Sequence, residues 1–285
     1  MSKNLFISIL LTMVLPCSWG QISLPKQETL QSFQKSKTYI VLEDAMLSQF
    51  NANIGEIAKK HWKITSFEVI DNAKFEILNK NPQHSFLMVV MGEYTGIGKN
   101  AKFDMLTLVM GHKSGDINKM PEILSIPLAV YIDENSDAEE EEYDYKLGGI
   151  LKGMQYAVKN ILNQHVGIRQ VFSLLNADAK EVKKMELWLT KNDLSEQVNT
   201  IEKIQKIYPY KVVITTAEAI EQAIDNKMPN VAFIHKVGNP AVKNGICIKA
   251  VISCENGKIL YGDYHSVSAK EPNGLLSKDF EALKQ

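Results

Sequence analysis

Cysteine, net charge and long apolar runs are all scarce in this chain of 285 residues. It has three cysteines and a formal net charge of −1. Small secreted proteins that depend on disulfides carry far more cysteine, so a disulfide scaffold is excluded. A charge near zero provides no global field for nucleic acid or an anionic membrane, and no run of Lys and Arg is interleaved with aromatic residues. The sequence therefore predicts a protein that does not bind nucleic acid.

The composition is that of an ordinary globular protein. Hydrophobic residues make up 45% of the chain and charged residues 23%, a balance that argues against disorder. The length is sufficient for two domains that each bury a core of their own.

The first twenty residues differ from the rest of the chain. Lys3 precedes the apolar run LFISILLTMVLP, and Ser18 and Gly20 are small residues just before Gln21. The run is too short for an ordinary membrane-spanning helix and is typical of a cleaved secretory signal. We therefore expect residues 1–20 to be removed and the protein to be exported, to the periplasm, the outer membrane or the exterior. A lipoprotein anchored through Cys17 is the alternative, although Pro16 stands where such signals carry a small residue.

After the signal, no stretch is apolar enough to span a membrane, and two cysteines remain. Cys247 and Cys254 lie in the segment ICIKAVISC, which reads as one strand. Seven residues of strand extend over about 23 Å, far beyond the reach of a disulfide. We expect both thiols to be small buried hydrophobic groups.

An internal repeat organises the remainder of the chain. Residues 37–90 align without a gap on residues 184–237, with thirteen identical pairs and matching apolar positions. We interpret the repeat as a duplication. Each half reads β-α-β-α-β-β-β-α, which predicts an α/β fold with mixed sheets in two tandem domains. The predicted limits are a leader at 21–36, a first domain at 37–163, a linker at 164–183 and a second domain at 184–285.

Several local features are specific enough to test. Asp71 is a plausible N-cap of a short helix. Apolar residues from Leu47 to Trp62, and again from Leu194 to Tyr208, have the spacing of an amphipathic helix. Pro127 indicates an edge strand. From about Tyr143 a longer helix is predicted, with one apolar stripe from Leu147 to Leu162.

The order of these elements resembles the small α/β domains of the TolB amino-terminal type, which also occur in curli-secretion lipoproteins and in activators of penicillin-binding proteins. The resemblance covers each half in element order and secreted context, without a sequence motif. It implies a protein-binding module of the cell envelope, by analogy of fold. It assigns no functional residue.

An acidic run is the one candidate metal site. Asp133, Asn135, Asp137 and Asp144 stand at positions 1, 3, 5 and 12 of a calcium-binding loop. Ala138, however, replaces the glycine of the turn, and Asp144 replaces the bidentate glutamate. A solvated acidic loop that precedes a helix explains the same residues, so no metal and no cofactor is predicted.

Catalytic motifs are missing. The six histidines occur singly, no serine or cysteine has an evident activating partner, and the glycine-rich segment GEYTGIGKN lacks the residues of a phosphate-binding loop. Tyr94, Tyr143 and Tyr145 are candidates for an exposed recognition surface, because tyrosine is enriched at interfaces.

These observations predict a non-enzymatic envelope protein that binds another protein or a peptide. Two alternatives remain open: a small-ligand-binding protein with its site between the halves, and an enzyme without a recognisable motif.

Overall fold

The structure is a computed structural model that describes residues 24–44, 48–94, 101–132, 139–162, 174, 176–239 and 245–285. Over these ranges the chain forms two five-stranded mixed sheets with helices packed on them. The α/β fold class is confirmed. The predicted signal peptide and Cys17 lie outside the described residues.

Sheet 1 is built from the first half of the chain. Its strands are β1 (Lys37–Val41), β2 (Ser66–Ile70), β3 (His84–Tyr94), β4 (Ala101–Met110) and β5 (Glu122–Val130), in the order β2-β1-β3-β4-β5. The first three strands are parallel, and β4 and β5 are antiparallel to their neighbours. The helices of this half are α1 (Gln27–Gln34), α2 (Gln49–His61), α3 (Asn72–Leu78) and α4 (Leu147–Asn160).

Sheet 2 has the same topology in the second half. Its strands are β6 (Glu186–Leu189), β7 (Val212–Ile214), β8 (Val231–Val237), β9 (Ile246–Ser253) and β10 (Ile259–Ser266), in the order β7-β6-β8-β9-β10. Here too the first three are parallel and the last two antiparallel. The helices are α5 (Ile201–Gln205), α6 (Ala217–Asp225) and α7 (Ser277–Lys284).

The two halves correspond in topology, but the gapless alignment is wrong in detail. In sheet 1 Tyr39 pairs with Phe86. In sheet 2 the residue that pairs with Phe233 is Trp188, whereas the alignment matches Tyr39 to Glu186. The first strand is therefore displaced by two residues, which keeps every side chain on its predicted face of the sheet. Duplication remains our interpretation of this likeness.

Relative to the same alignment, the first strand of the second half is displaced two residues towards the C-terminus, whereas the helix before β8 begins two residues early. The N-cap of α3 is Asp71, whose side chain accepts a hydrogen bond from the amide of Lys74, as predicted. The N-cap of α6 is Thr216, not the residue two positions later that the alignment matches to Asp71. Two residues turn a helix by about 200°. The identical pair Ile77 and Ile224 is accordingly 75% exposed in one helix and 1% exposed in the other.

Helix α4 lies between the two sheets. All residues from Leu147 to Gln155 are buried, which a single apolar stripe does not predict. One side packs in the main core of the first half with α2 and sheet 1. On the other side Gly149 brings the backbone of α4 against Ile224 and Phe233 of the second half. A side chain at position 149 would collide with Phe233, and one at Gly148 would collide first with His61 of α2.

The helix predicted from Leu194 to Tyr208 is wrong in its first part. Only Ile201–Gln205 is α-helical, with Thr200 as its N-cap. Leu194 instead forms an isolated bridge with Leu275, and the hydroxyl of Ser195 donates to the carbonyl of Leu275. A contact with residues about eighty positions away has replaced the local helix.

Three other expectations agree with the structure. β5, which contains Pro127, is an outer strand of sheet 1. Cys247 and Cys254 are both buried free thiols. No helix in the part of the chain that the structure describes is long and apolar enough to cross a membrane.

Candidate functional site

A cleft of about 370 Å³ opens on the face of sheet 1 that carries α3. The end of β1, the start of α3, the middle of β3 and the 3-10 turn at Ile117–Lys119 surround it. Ten residues line it: Val41, Leu42, Glu43, Asp44, Asn72, Phe75, Met88, Val89, Val90 and Ile117. The carboxyl end of a parallel strand is where α/β sheets commonly bind ligands.

The cleft has an apolar interior and an acidic edge. Seven of its lining residues are aliphatic, methionine or phenylalanine, two are carboxylic acids, and one is an amide. Ile117 is 43% exposed at the mouth. Such a surface suits a ligand with one apolar group and a neighbouring cation.

Helix α2 holds Glu43 in place. The Glu43 amide donates to Oδ1 of Asn51 at 2.8 Å, and Nδ2 of Asn51 donates back to the Glu43 carbonyl at 2.9 Å. Ser48 donates its hydroxyl to the Glu43 carboxylate. Residues that are fixed in this way before binding lose little conformational freedom when a ligand arrives.

Asp104 lies on the other face of sheet 1, because it is on the same side of β4 as Leu106 and Leu108, which pack with α2 and α4. Burial raises the pKa of Asp104 on β4 to about 6, and the nearby charges of Glu43 and Glu140 raise it further in the same direction. The negative charge around Asp104 is therefore separate from the acidic edge of the cleft, which consists of Glu43 and Asp44.

The junction between the halves is closed by buried polar contacts. Nζ of Lys152 on α4 donates to the carbonyls of Ile224 and Cys254 at 2.6 and 2.7 Å, and burial lowers its pKa to about 8. The carboxylate of Glu141 accepts from the amide of Val130 and from Nζ of Lys236. These residues join the sheets, so this part of the junction is a packed interface.

The second half contains a cluster of buried ionisable groups that resembles a catalytic site only in composition. Lys249 and Asp279 form an ion pair of 2.6 Å, and both are almost fully buried. Asp279 also accepts from the Leu276 amide at the start of α7. These contacts tie α7 to sheet 2, which is a structural role.

Neither thiol of the second half is suited to nucleophilic chemistry. Burial raises the pKa of Cys254 to about 12 and raises that of Cys247 as well. The thiolate is the reactive form of cysteine. Both residues therefore behave as apolar core groups, as the sequence predicts.

The predicted recognition tyrosines do not form an exposed surface. Tyr143 and Tyr145 are 8% and 9% exposed, because they pack in the cores of the first and second half respectively. That part of the prediction is wrong. Tyr94 is the last residue of β3, and its side chain lies outside the description.

The predicted calcium ligands are only partly described. Asp133, Asn135 and Asp137 lie outside the described residues, and Asp144 begins a 3-10 turn where it accepts from the Tyr145 amide. Among the described residues no group of three or more His, Cys, Asp or Glu side chains is arranged to hold a metal ion.

Sequence reasoning did not single out the cleft residues, because most are ordinary strand residues. Only the sequence Glu43–Asp44 directly after a buried strand marks the place, since carboxylates at a strand end lie at the edge where ligands bind. Comparison of the chain with models of known families, with curated proteins and with solved structures finds no match.

Proposed function

We propose that this chain is an exported, non-enzymatic module of the cell envelope, and that it binds a segment of a partner protein in the cleft on sheet 1. The observation that carries the proposal is the cleft itself. Its mouth is open to solvent at Ile117, its floor is apolar, and Glu43 at its acidic edge is held by α2. The buried ionisable groups elsewhere are engaged in joining secondary-structure elements, which supports binding over catalysis.

Site-specific cross-linking in the producing cells tests this function. A photo-reactive amino acid replaces either Ile117, which lines the cleft, or Ile77, which is 75% exposed on α3 and does not line it. The proposal predicts a discrete adduct with one envelope protein from position 117 and none from position 77. Mass spectrometry identifies the partner.

The captured partner must then bind the purified protein directly. Ile117→Lys should weaken that binding at least about tenfold, since it places a charge on an apolar contact. Ile77→Lys should leave the affinity unchanged. Equal adducts from both positions, or a partner whose affinity neither variant alters, would refute binding in the cleft.

A further inference from the structure

The second half of the molecule contains a counterpart of the cleft, and that counterpart is filled. Correspondence follows from strand pairing: Tyr39 pairs with Phe86 as Trp188 pairs with Phe233. Asp44 lies five residues after Tyr39, and Asp193 lies five residues after Trp188. The two aspartates therefore occupy equivalent places after the first strand of each half.

Two further residues of the cleft have counterparts by the same reasoning. Phe75 is the fourth residue after the N-cap of α3, and Ile220 is the fourth after the N-cap of α6. Both are buried. Met88 lies two residues beyond Phe86, and His235 two beyond Phe233. Asp193, Ile220 and His235 thus outline the equivalent site on sheet 2.

Tyr145 and Lys146 fill that site. Nζ of Lys146 is 3.1 Å from Oδ1 of Asp193, and the two side chains are 4% and 2% exposed. The Tyr145 ring belongs to the apolar cluster that contains Ile220 and Phe233. Nζ of Lys146 also lies 4.9 Å from the centroid of the Tyr145 ring, within the range of a cation–π contact.

In the occupied site, each of the two side chains that fill it meets a chemically matching group. The Tyr145 ring packs against apolar residues, and the Lys146 ammonium group pairs with Asp193. In the first half the floor is Phe75, Met88 and their aliphatic neighbours, and the aspartate is Asp44, which is exposed at the edge. Glu43 adds a second carboxylate, so the open cleft is complementary to a cation beside an apolar group.

We infer that the cleft binds a peptide segment in which an aromatic residue is followed by a lysine, in the manner of Tyr145–Lys146 on sheet 2. The inference rests on the proposed function and specifies its ligand. The aromatic side chain enters between Phe75 and Ile117, and the ammonium group lies against Asp44 and Glu43. The partner protein is expected to present such a pair in an accessible segment.

Fluorescence anisotropy with labelled six-residue peptides tests the specificity. The probes are Ser-Gly-Tyr-Lys-Gly-Ser and its variants with Tyr-Glu, Ser-Lys and Ser-Ser at the centre. The Tyr-Lys peptide should bind about fivefold more tightly than the Tyr-Glu peptide, as expected for a partly exposed ion pair. It should also bind more tightly than the Ser-Lys peptide, since serine cannot fill the apolar floor.

Asp44→Asn is the diagnostic variant, because it removes the charge with little change in shape. It should clearly reduce the preference for Tyr-Lys over Tyr-Glu, of which only the part due to Glu43 would remain. The matched control is Glu255→Gln, an exposed acidic residue in the turn after β9, which should retain the full preference. Circular dichroism verifies that both variants are folded.

The outcomes separate this inference from the proposed function. If position 117 captures a partner but the four peptides bind equally or not at all, the aromatic–lysine specificity is wrong and binding in the cleft stands. If no peptide binds and position 117 captures nothing, both proposals fall. A preference that is undiminished in Asp44→Asn would also overturn the assignment of the cation to Asp44.

Discussion

His235 donates a hydrogen bond from Nε2 to the main-chain oxygen of Pro127, 2.8 Å away, and so joins β8 of one sheet to β5 of the other. The ring is 3% exposed, and its buried Nδ1 has no hydrogen-bond partner among the described residues. A second proton would bind to Nδ1, where the described part of the chain offers no hydrogen-bond acceptor. Burial, followed by the charge of Lys146, lowers the pKa of His235 to about 4. The imidazole at this junction is therefore neutral at neutral pH.

We expect this histidine to make the protein sensitive to acid. Between its ordinary pKa of 6.5 and about 4, the unfolded chain binds a proton that the folded chain does not. The free energy of unfolding therefore falls as the pH falls through that window, by about 3 kcal/mol from this residue. Urea denaturation at several pH values measures the slope. His235→Gln should reduce the slope below pH 6.5 and leave it unchanged above, and an unaltered slope would contradict the assignment.

The glycines of α4 allow a matched pair of substitutions. A Cβ at Gly149 would lie 2.6 Å from Cε1 of Phe233, whereas the nearest atoms to a Cβ at Gly153 are 3.8 Å away. Gly149→Ala should destabilise the protein by about 1–3 kcal/mol through overpacking. Gly153→Ala should stabilise it by up to about 1 kcal/mol, because alanine favours the helix. Thermal unfolding compares them, and similar effects would show that α4 does not approach the second half closely.

The buried pair Lys249–Asp279 should be strongly coupled. Lys249→Met leaves the Asp279 carboxylate buried without its cation, which should cost about 3–5 kcal/mol. The double variant Lys249→Met with Asp279→Asn should cost clearly less than the two single changes together, since it removes both charges. Chemical denaturation of the unmodified protein, the two single variants and the double variant measures the four free energies of unfolding that this double-mutant cycle needs. Additive losses would mean that the two residues act independently.

Local signals in the sequence were sufficient for most of the fold. Strands separated by helices, the Asp71 cap and the Pro127 edge each depend on a few neighbouring residues, and the structure contains all of them. The segment after Asp193 could not be predicted in the same way. Its periodic apolar residues favour a helix, but the bridge of Leu194 with Leu275 and the hydrogen bond from Ser195 to the Leu275 carbonyl determine its conformation. The residue that makes both contacts is remote in sequence.

The candidate site was harder to predict for a related reason. Val41, Met88 and Ile117 become a site only because three separate elements bring them together. Tyr145 was singled out as a recognition residue from its type and its acidic surroundings. Its burial depends on α6 and β8, which lie far along the chain, so sequence alone suggested exposure.

The position of α4 also bears on whether either half could exist alone. This helix is encoded with the first half, yet it covers Ile224 and Phe233 of the second. A gene fragment for residues 184–285 would produce a protein with that apolar face open to water and prone to self-association. When the two halves are expressed together as separate chains, they should bind each other and cover that face. If the repeat arose by duplication, the second copy now depends on the first for a helix that completes its core, so the two copies are no longer independent folding units.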